Sequence, residues 1–387
     1  DTVVVNGVAK NATIYGASGA DSLSIGNSVS AGTIHGGTQA DTIIIASTVL
    51  GGTSIIGGTT GSDAANDAAD LVSIAGGLTS SQVVGNLGGD TILLQNQMRA
   101  STVWGGSGND SLSINANGIT GAAAYYGGPG KDSLVVTGAV KGSSVIGDDG
   151  TSTTEDGADS FVLSSDFSAS YFSGGSGNDL FSAAGTMNAG SVYGGAGEDS
   201  ITLGNITAKA SVLGGADNDV VSVGGSVQTG SVLGEAGADS LLVAGISSAY
   251  LGGGAGNDTL RASGAFDEAA SLIGSSGDDF ISVAGLASKG YVDGGVDSDT
   301  LRFLGGMTSS TLYGGSGADL FSIAGGITSD KLFAGEGNDT LSLSGVISDT
   351  TVDVGSGKDK VVLTSGSAND WTLTGDLTST TVNGDAG

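Results

Sequence analysis

Aspartate offers most of the chemistry in this chain, and it recurs at a near-constant interval. Asp1, Asp21, Asp41, Asp70, Asp90, Asp110, Asp132, Asp159, Asp179, Asp199, Asp219, Asp239, Asp258, Asp279, Asp299, Asp319, Asp339 and Asp359 each precede a short apolar segment. Most intervals are twenty residues. Many of these aspartates close a glycine turn: GGSGND at 105–110 and 174–179, GGAGED at 194–199, GGAGND at 253–258 and GGSGAD at 314–319. Glycine reaches backbone angles that expose carbonyl oxygens inward, and aspartate adds a hard anionic oxygen, so adjacent turns of this kind could cage an oxygen-seeking cation. The candidate ligands are Asp21, Asp41, Asp110, Asp132, Asp179, Asp199, Asp219, Asp239, Asp258, Asp279, Asp299, Asp319, Asp339 and Asp359. With them go the turn glycines Gly105, Gly106, Gly108, Gly174, Gly175, Gly177, Gly194, Gly195, Gly197, Gly253, Gly254, Gly256, Gly314, Gly315 and Gly317.

Charge agrees with a cationic ligand. Forty acidic residues against eleven basic ones leave a net charge of −29, which argues against nucleic acid and anionic membrane as partners. No apolar run is long enough for a membrane span, so no membrane insertion is expected. There is no cysteine, hence no disulfide framework and no thiolate metal site.

The elements that must position the aspartates follow from the pattern after each one. The second and fourth residues onward are apolar in every unit, from Val3 and Val5 to Val361 and Leu363, and a period of two means a strand. A second short strand follows, as in Thr33-Ile34-His35 and Thr311-Leu312-Tyr313, and runs into Gly-Gly. Between the two lies a softer turn, glycine then an aliphatic residue, as in Gly76-Gly77-Leu78 and Gly305-Gly306-Met307. Twenty residues with two strands cannot bury an apolar face alone, so the units must stack. The prediction is an all-β parallel solenoid of about eighteen coils, mostly twenty residues per coil, two strands per coil. Leu112, Leu134, Phe161 and Phe181 would form one internal ladder, and Ile114, Val136, Leu163 and Ala183 the next. Seventy-four glycines, each costing about 1 kcal/mol in a helix interior, exclude a helical alternative. Residues 1–387 are expected to form one continuous solenoid with enlarged loops at 58–69, 147–158 and 364–374. Because the last glycine turn stops in mid-motif and the chain begins with an aspartate, the chain is expected to be part of a longer array, the alternative being a processed subunit whose ends could continue one another.

With the strand that follows, the turn gives the pattern GGxGxDxUx, U being apolar, and here the sequence resembles the RTX (repeats-in-toxin, hemolysin-type) calcium-binding repeat proteins, in particular those of surface layers or filaments. The resemblance implies a calcium-loaded parallel β-roll, with multiple Ca2+ ions stacked along the turns. It also implies type I secretion from a Gram-negative bacterium or cyanobacterium, with folding outside the cell, and so an extracellular or cell-surface location. Two departures matter. The family usually carries two such turns per coil, whereas one is degenerate here, so a single row of ions along one edge is expected. The turns at 36–41, 85–90 and 294–299 also depart from the glycine pattern.

A further signal precedes the Gly-Gly pairs, where Tyr15, His35, Trp104, Tyr126, Tyr193, Leu213, Leu233, Tyr313 and Phe333 recur. Alternation would turn them outward into a stripe, either as a lateral contact or as a seal on the solenoid edge. Catalysis has no constellation to stand on: His35, the one histidine, fills a stripe position, and Arg261 and Arg302 lie two coils apart on the outer face of the first strand. The chain is expected not to be an enzyme. It is expected to be a secreted, calcium-stabilised structural protein that self-associates end to end or laterally in a surface layer, sheath or filament. The alternative is the stalk or ligand-binding solenoid of a large RTX adhesin, with cell-surface polysaccharide as a candidate partner.

Overall fold

The computed structural model describes all residues except 60–66, 149–156, 268, 365–367, 370–371, 376–380 and 385–387. The enlarged loops expected at 58–69 and 147–158 lie largely, and that at 364–374 partly, outside the described residues. The chain divides into two compact units, Asp1–Ser200 and Ile201–Gly387. Each is a parallel β-solenoid, and together they supply about eighteen coils of about twenty residues.

In the first unit one coil runs through strands Thr2–Val5, Ala9–Lys10 and Thr13–Ser18. Each strand pairs in parallel with its equivalent in the next coil: Thr2 with Ser22, Ala9 with Val29, Thr13 with Thr33. The second unit repeats the arrangement, for example in Thr300–Phe303, Met307–Thr308 and Thr311–Ser316. The expectation of two strands per coil is therefore corrected to three. The segment read as a soft turn is a two-residue strand, too short for alternation to register. Its aliphatic residue points inward: Val29, Leu78, Met98, Ile119, Ile327 and Met307 are all at most 1 % exposed. After this strand the chain bends at a left-handed residue, such as Ala31 (φ 50°), Ser80 (φ 48°), Ala122 (φ 58°) or Ser309 (φ 56°).

Ladders of apolar side chains fill the interior. The two predicted from the first strand are present: Leu112, Leu134, Phe161 and Phe181 pair in sequence, as do Ile114, Val136, Leu163 and Ala183, and all are buried. Large and small residues alternate to fill a thin core. Phe172 and Phe181 lie 4.9 Å apart and Phe167 and Phe172 5.4 Å apart, both edge to face, while in the second unit Phe266 stacks on Ala287.

Candidate metal sites along the glycine turns

Each repeat aspartate sits where the glycine turn enters the first strand, and its backbone N–H lacks a partner within its own coil. The next coil supplies one. The N–H of Asp21 donates to Oδ1 of Asp41, that of Asp41 to Asp70, and so on through Asp90, Asp110, Asp132, Asp159, Asp179 and Asp199. In the second unit the same bonds run from Asp219 through Asp239, Asp258, Asp279, Asp299, Asp319 and Asp339 to Asp359, and all are 2.6–3.0 Å. These carboxylates are at most 5 % exposed. Asp70, Asp90 and Asp159 occupy the same row, although their turns match the glycine pattern poorly and the candidate set omits them.

The second carboxylate oxygen has a different situation. Oδ2 of Asp41, Asp110, Asp132, Asp179, Asp258 and Asp319, among others, is buried with no hydrogen-bond partner. It lies against the first glycine of its own turn: a Cβ on Gly105 would fall 2.4 Å from Asp110 Oδ2, on Gly174 2.0 Å from Asp179 Oδ2, on Gly253 2.2 Å from Asp258 Oδ2 and on Gly314 2.4 Å from Asp319 Oδ2. The same Cβ would meet the carbonyl oxygen of the next coil, that of Gly127 for Gly105 and of Ala334 for Gly314. Gly194 holds the equivalent buried place in its turn. Glycine is thus required where a carboxylate oxygen and a backbone carbonyl converge.

The second and fourth glycines serve the stacking of the turns. Gly106 and Gly108 have φ of 119° and 128°, and Gly254 and Gly256 of 122° and 120°. A Cβ on Gly106 would sit 1.9 Å from the carbonyl oxygen of Asn86 in the preceding coil, and one on Gly108 2.0 Å from that of Gly88. Gly175, Gly177, Gly195, Gly197, Gly315 and Gly317 share the positive φ. The departing turns keep this backbone with other residues: Gln39 (φ 72°) and Asp297 (φ 75°) take the fourth place, and Asn86 (φ 87°) the second.

Burial makes an ionised row costly. It pushes the carboxyl of Asp159 up to about 9, those of Asp70, Asp179 and Asp299 to about 8, and those of Asp90, Asp110, Asp132 and Asp258 to about 7, with neighbouring aspartates adding to the rise. The backbone N–H on Oδ1 opposes the shift without cancelling it. At neutral pH such a row needs protons or cations. A hard divalent cation fits the donor set, which is oxygen throughout, orphaned and backed by glycine carbonyls. Among the described residues no three His, Cys, Asp or Glu side chains cluster closely enough to hold a metal by themselves, so an ion here would need backbone carbonyls besides carboxylate.

The bend before the third strand carries a neutral counterpart that the sequence reading missed. Thr53 N–H donates to Ser81 Oγ and Ser81 N–H to Ser101 Oγ, each at 3.2 Å, the same coil-to-coil bond as on the aspartate edge. Each of these serine hydroxyls then donates two residues back, Ser81 to Thr79 O and Ser101 to Arg99 O. Even Asp330, the carboxylate in this ladder, is satisfied, its Oδ2 accepting Thr328 N–H at 2.8 Å. The signal was a Ser or Thr at 53, 81, 101, 143, 170, 310 and 350. A third ladder runs through the fifth turn position, where Asn109 accepts from Lys131 N–H and Asn257 from Asp278 N–H.

The stripe residues face outward on the third strand, Tyr15 and Trp104 exposed and the others half-buried. Trp104 stacks on Tyr126 at 6.0 Å, Tyr313 on Phe333 at 4.8 Å, and Tyr15 lies 5.6 Å from His35. Arg261 and Arg302 are exposed on the first strand, and the Arg261 guanidinium lies 5.1 Å over the Phe280 ring.

Comparison with known proteins adds to this geometry. The RTX calcium-binding nonapeptide repeat matches in four copies, at residues 100–113 and 304–341. Among solved structures, the chain is similar to a hyperactive, Ca2+-dependent, β-helical antifreeze protein from an Antarctic bacterium. The similarity is 21 % in identity with a TM-score of 0.49, over 76 % of this chain and 82 % of that one. No curated protein matches the chain.

Proposed function

We propose, from a chain that carries RTX calcium-binding nonapeptide repeats, that Ca2+ ions fill the aspartate edge and that the calcium-stiffened solenoid is a structural component of a bacterial surface layer, sheath or filament. The observation that carries the reading is the row of buried Oδ2 atoms without partners beside glycine carbonyls. Asp110, Asp132, Asp258 and their equivalents would hold the ions, with turn carbonyls completing the shell. Calcium supplies positive charge where the fold has buried negative charge. An ion bound by the folded turns alone adds its binding free energy to folding, so a chain with a thin core is stable where calcium is abundant, which suits secretion and folding outside the cell. Among the described residues no helix is long and apolar enough to cross a membrane.

Sedimentation velocity of the chain in millimolar calcium and in chelator tests the assembly. Expanded monomers in chelator that become large assemblies with calcium support the structural polymer. Elongated monomers in calcium contradict it and favour the stalk of an adhesin.

A further inference from the structure

A groove of about 660 Å³ lies along the bend between the second and third strands, in the coils that run from Ala122 to Ser191 of the first unit. It stays open because the bend is built from small left-handed residues, Ala122 (φ 58°), Ala169 (φ 49°) and Ala189 (φ 55°). Its floor includes Ser143 and Ser170, and Tyr126 and Tyr171 line it. Each ring is braced by a neighbour: Tyr126 stacks on Trp104 at 6.0 Å with planes 13° apart, and Tyr171 lies 5.4 Å from Tyr193. Tyr171 is 40 % exposed and Trp104 37 %. Tyr126 and Tyr171 belong to coils two apart, roughly 10 Å along the stack.

Three properties narrow the occupant. No charged side chain lines the groove, although the chain carries −29 overall, so polyanions are repelled and the groove offers a cation no carboxylate. The strands beside it are paired with coils on both sides, so it presents no free edge to which a peptide could add as a strand. What remains is a run of braced aromatic faces beside serine hydroxyls. This suits a ligand with apolar C–H faces and hydroxyl edges that repeats along a line.

We propose that this groove binds a neutral linear glycan, whose sugar faces rest on Tyr126 and Tyr171 and whose hydroxyls bond to Ser144 and Ser191. It needs the folded coils but no contact with the aspartate edge, so its fate is separable from that of calcium binding.

The test is affinity electrophoresis of the full chain, in calcium, through native gels cast with a β-glucan, an α-glucan, a mannan or a polyuronate. Tyr171→Ser introduces the residue that both adjacent coils carry in the same rank, Ser144 and Ser191, and Tyr126→Ser the residue that its rank carries two coils on, Ser173, which protects folding; circular dichroism verifies it. Retardation by at least one neutral polymer is expected, weakened roughly tenfold in either variant. It should be unchanged in Tyr15→Ser, whose ring is outward but remote from the groove, and largely restored in Tyr171→Phe. No retardation by any neutral polymer, retardation by the polyuronate alone, or full retention in Tyr171→Ser would overturn the proposal. So would a loss of self-association in Tyr171→Ser with glycan retardation intact, because the groove would then be a contact between copies of the chain.

Discussion

At Asp258 the two carboxylate oxygens lead separate lives. Oδ1 accepts the Asp239 N–H at 2.8 Å, while Oδ2 is buried without a partner beside Gly253. Replacing the charge but not the shape separates the two roles. Asp258→Asn keeps an acceptor for the N–H and removes the buried anion, so in chelator at pH 8 the variant is expected to gain about 1–3 kcal/mol over the parent. In saturating calcium the sign reverses, because an ion loses a ligand. Thermal melts of both proteins in both buffers check this, and a variant that shifts in the same direction in each buffer would contradict the assignment. The repeat aspartates and the turn glycines were legible in the sequence because chemistry and spacing coincided at each. Asp70, Asp90 and Asp159 were less so, since Asn86 in one turn and inserted residues in the other two obscure the pattern, although the coil-to-coil bonds set all three carboxylates in the same row.

At the scale of the element, the aspartate edge of each unit is a stacked row whose protonation depends on burial. In the absence of metal the folded carboxyl groups of Asp110, Asp132 and Asp258 stand at about 7, and those of Asp179 and Asp299 at about 8, above the ordinary aspartate value of about 3.9. Because folding raises these values, the folded state binds more protons than the unfolded chain between them. The stability these groups contribute is therefore full below about pH 4, falls as pH rises from there, and is lost once pH passes the folded values of about 7 to 8. Chelated protein is expected to melt at a higher temperature at pH 5 than at pH 8, and calcium should remove or invert this slope. Equal melting temperatures at the two pH values in chelator would refute it.

Where the ladder of the neighbouring bend is made of hydroxyls that satisfy themselves, as at Ser81 and Ser101, it escapes this dependence, whereas at Asp330 burial again pushes the carboxyl up, to about 6. That contrast was not readable from sequence. Serine and threonine at a bend resemble ordinary turn residues, and only the coil-to-coil register shows them doing what the aspartates do without charge. Nor was the third strand readable: two residues such as Leu78–Thr79 or Met307–Thr308 cannot display a period, and their strand character comes from the coils they pair with.

For the molecule as a whole, each unit couples a narrow apolar interior to a long file of buried carboxylates, and the net charge of −29 works against compaction until cations arrive. Periodicity made the parallel stack legible from the first aspartates onward. The outward ranks were legible as a stripe, but which rings border the groove was not, because Tyr171 lies outside the stripe register and enters only through its pairing with Ser144 and Ser191.

The central claim is that calcium on the aspartate edge holds the coils together at neutral pH. Titration of the chelated chain with calcium, followed by circular dichroism at pH 7.5 with magnesium in parallel, tests it most directly. The account predicts a largely unfolded spectrum in chelator that becomes fully β with calcium and stays unfolded with magnesium, which dehydrates reluctantly and demands a tighter octahedral shell. A full β spectrum in chelator, with a melting temperature that calcium leaves unchanged, would contradict it.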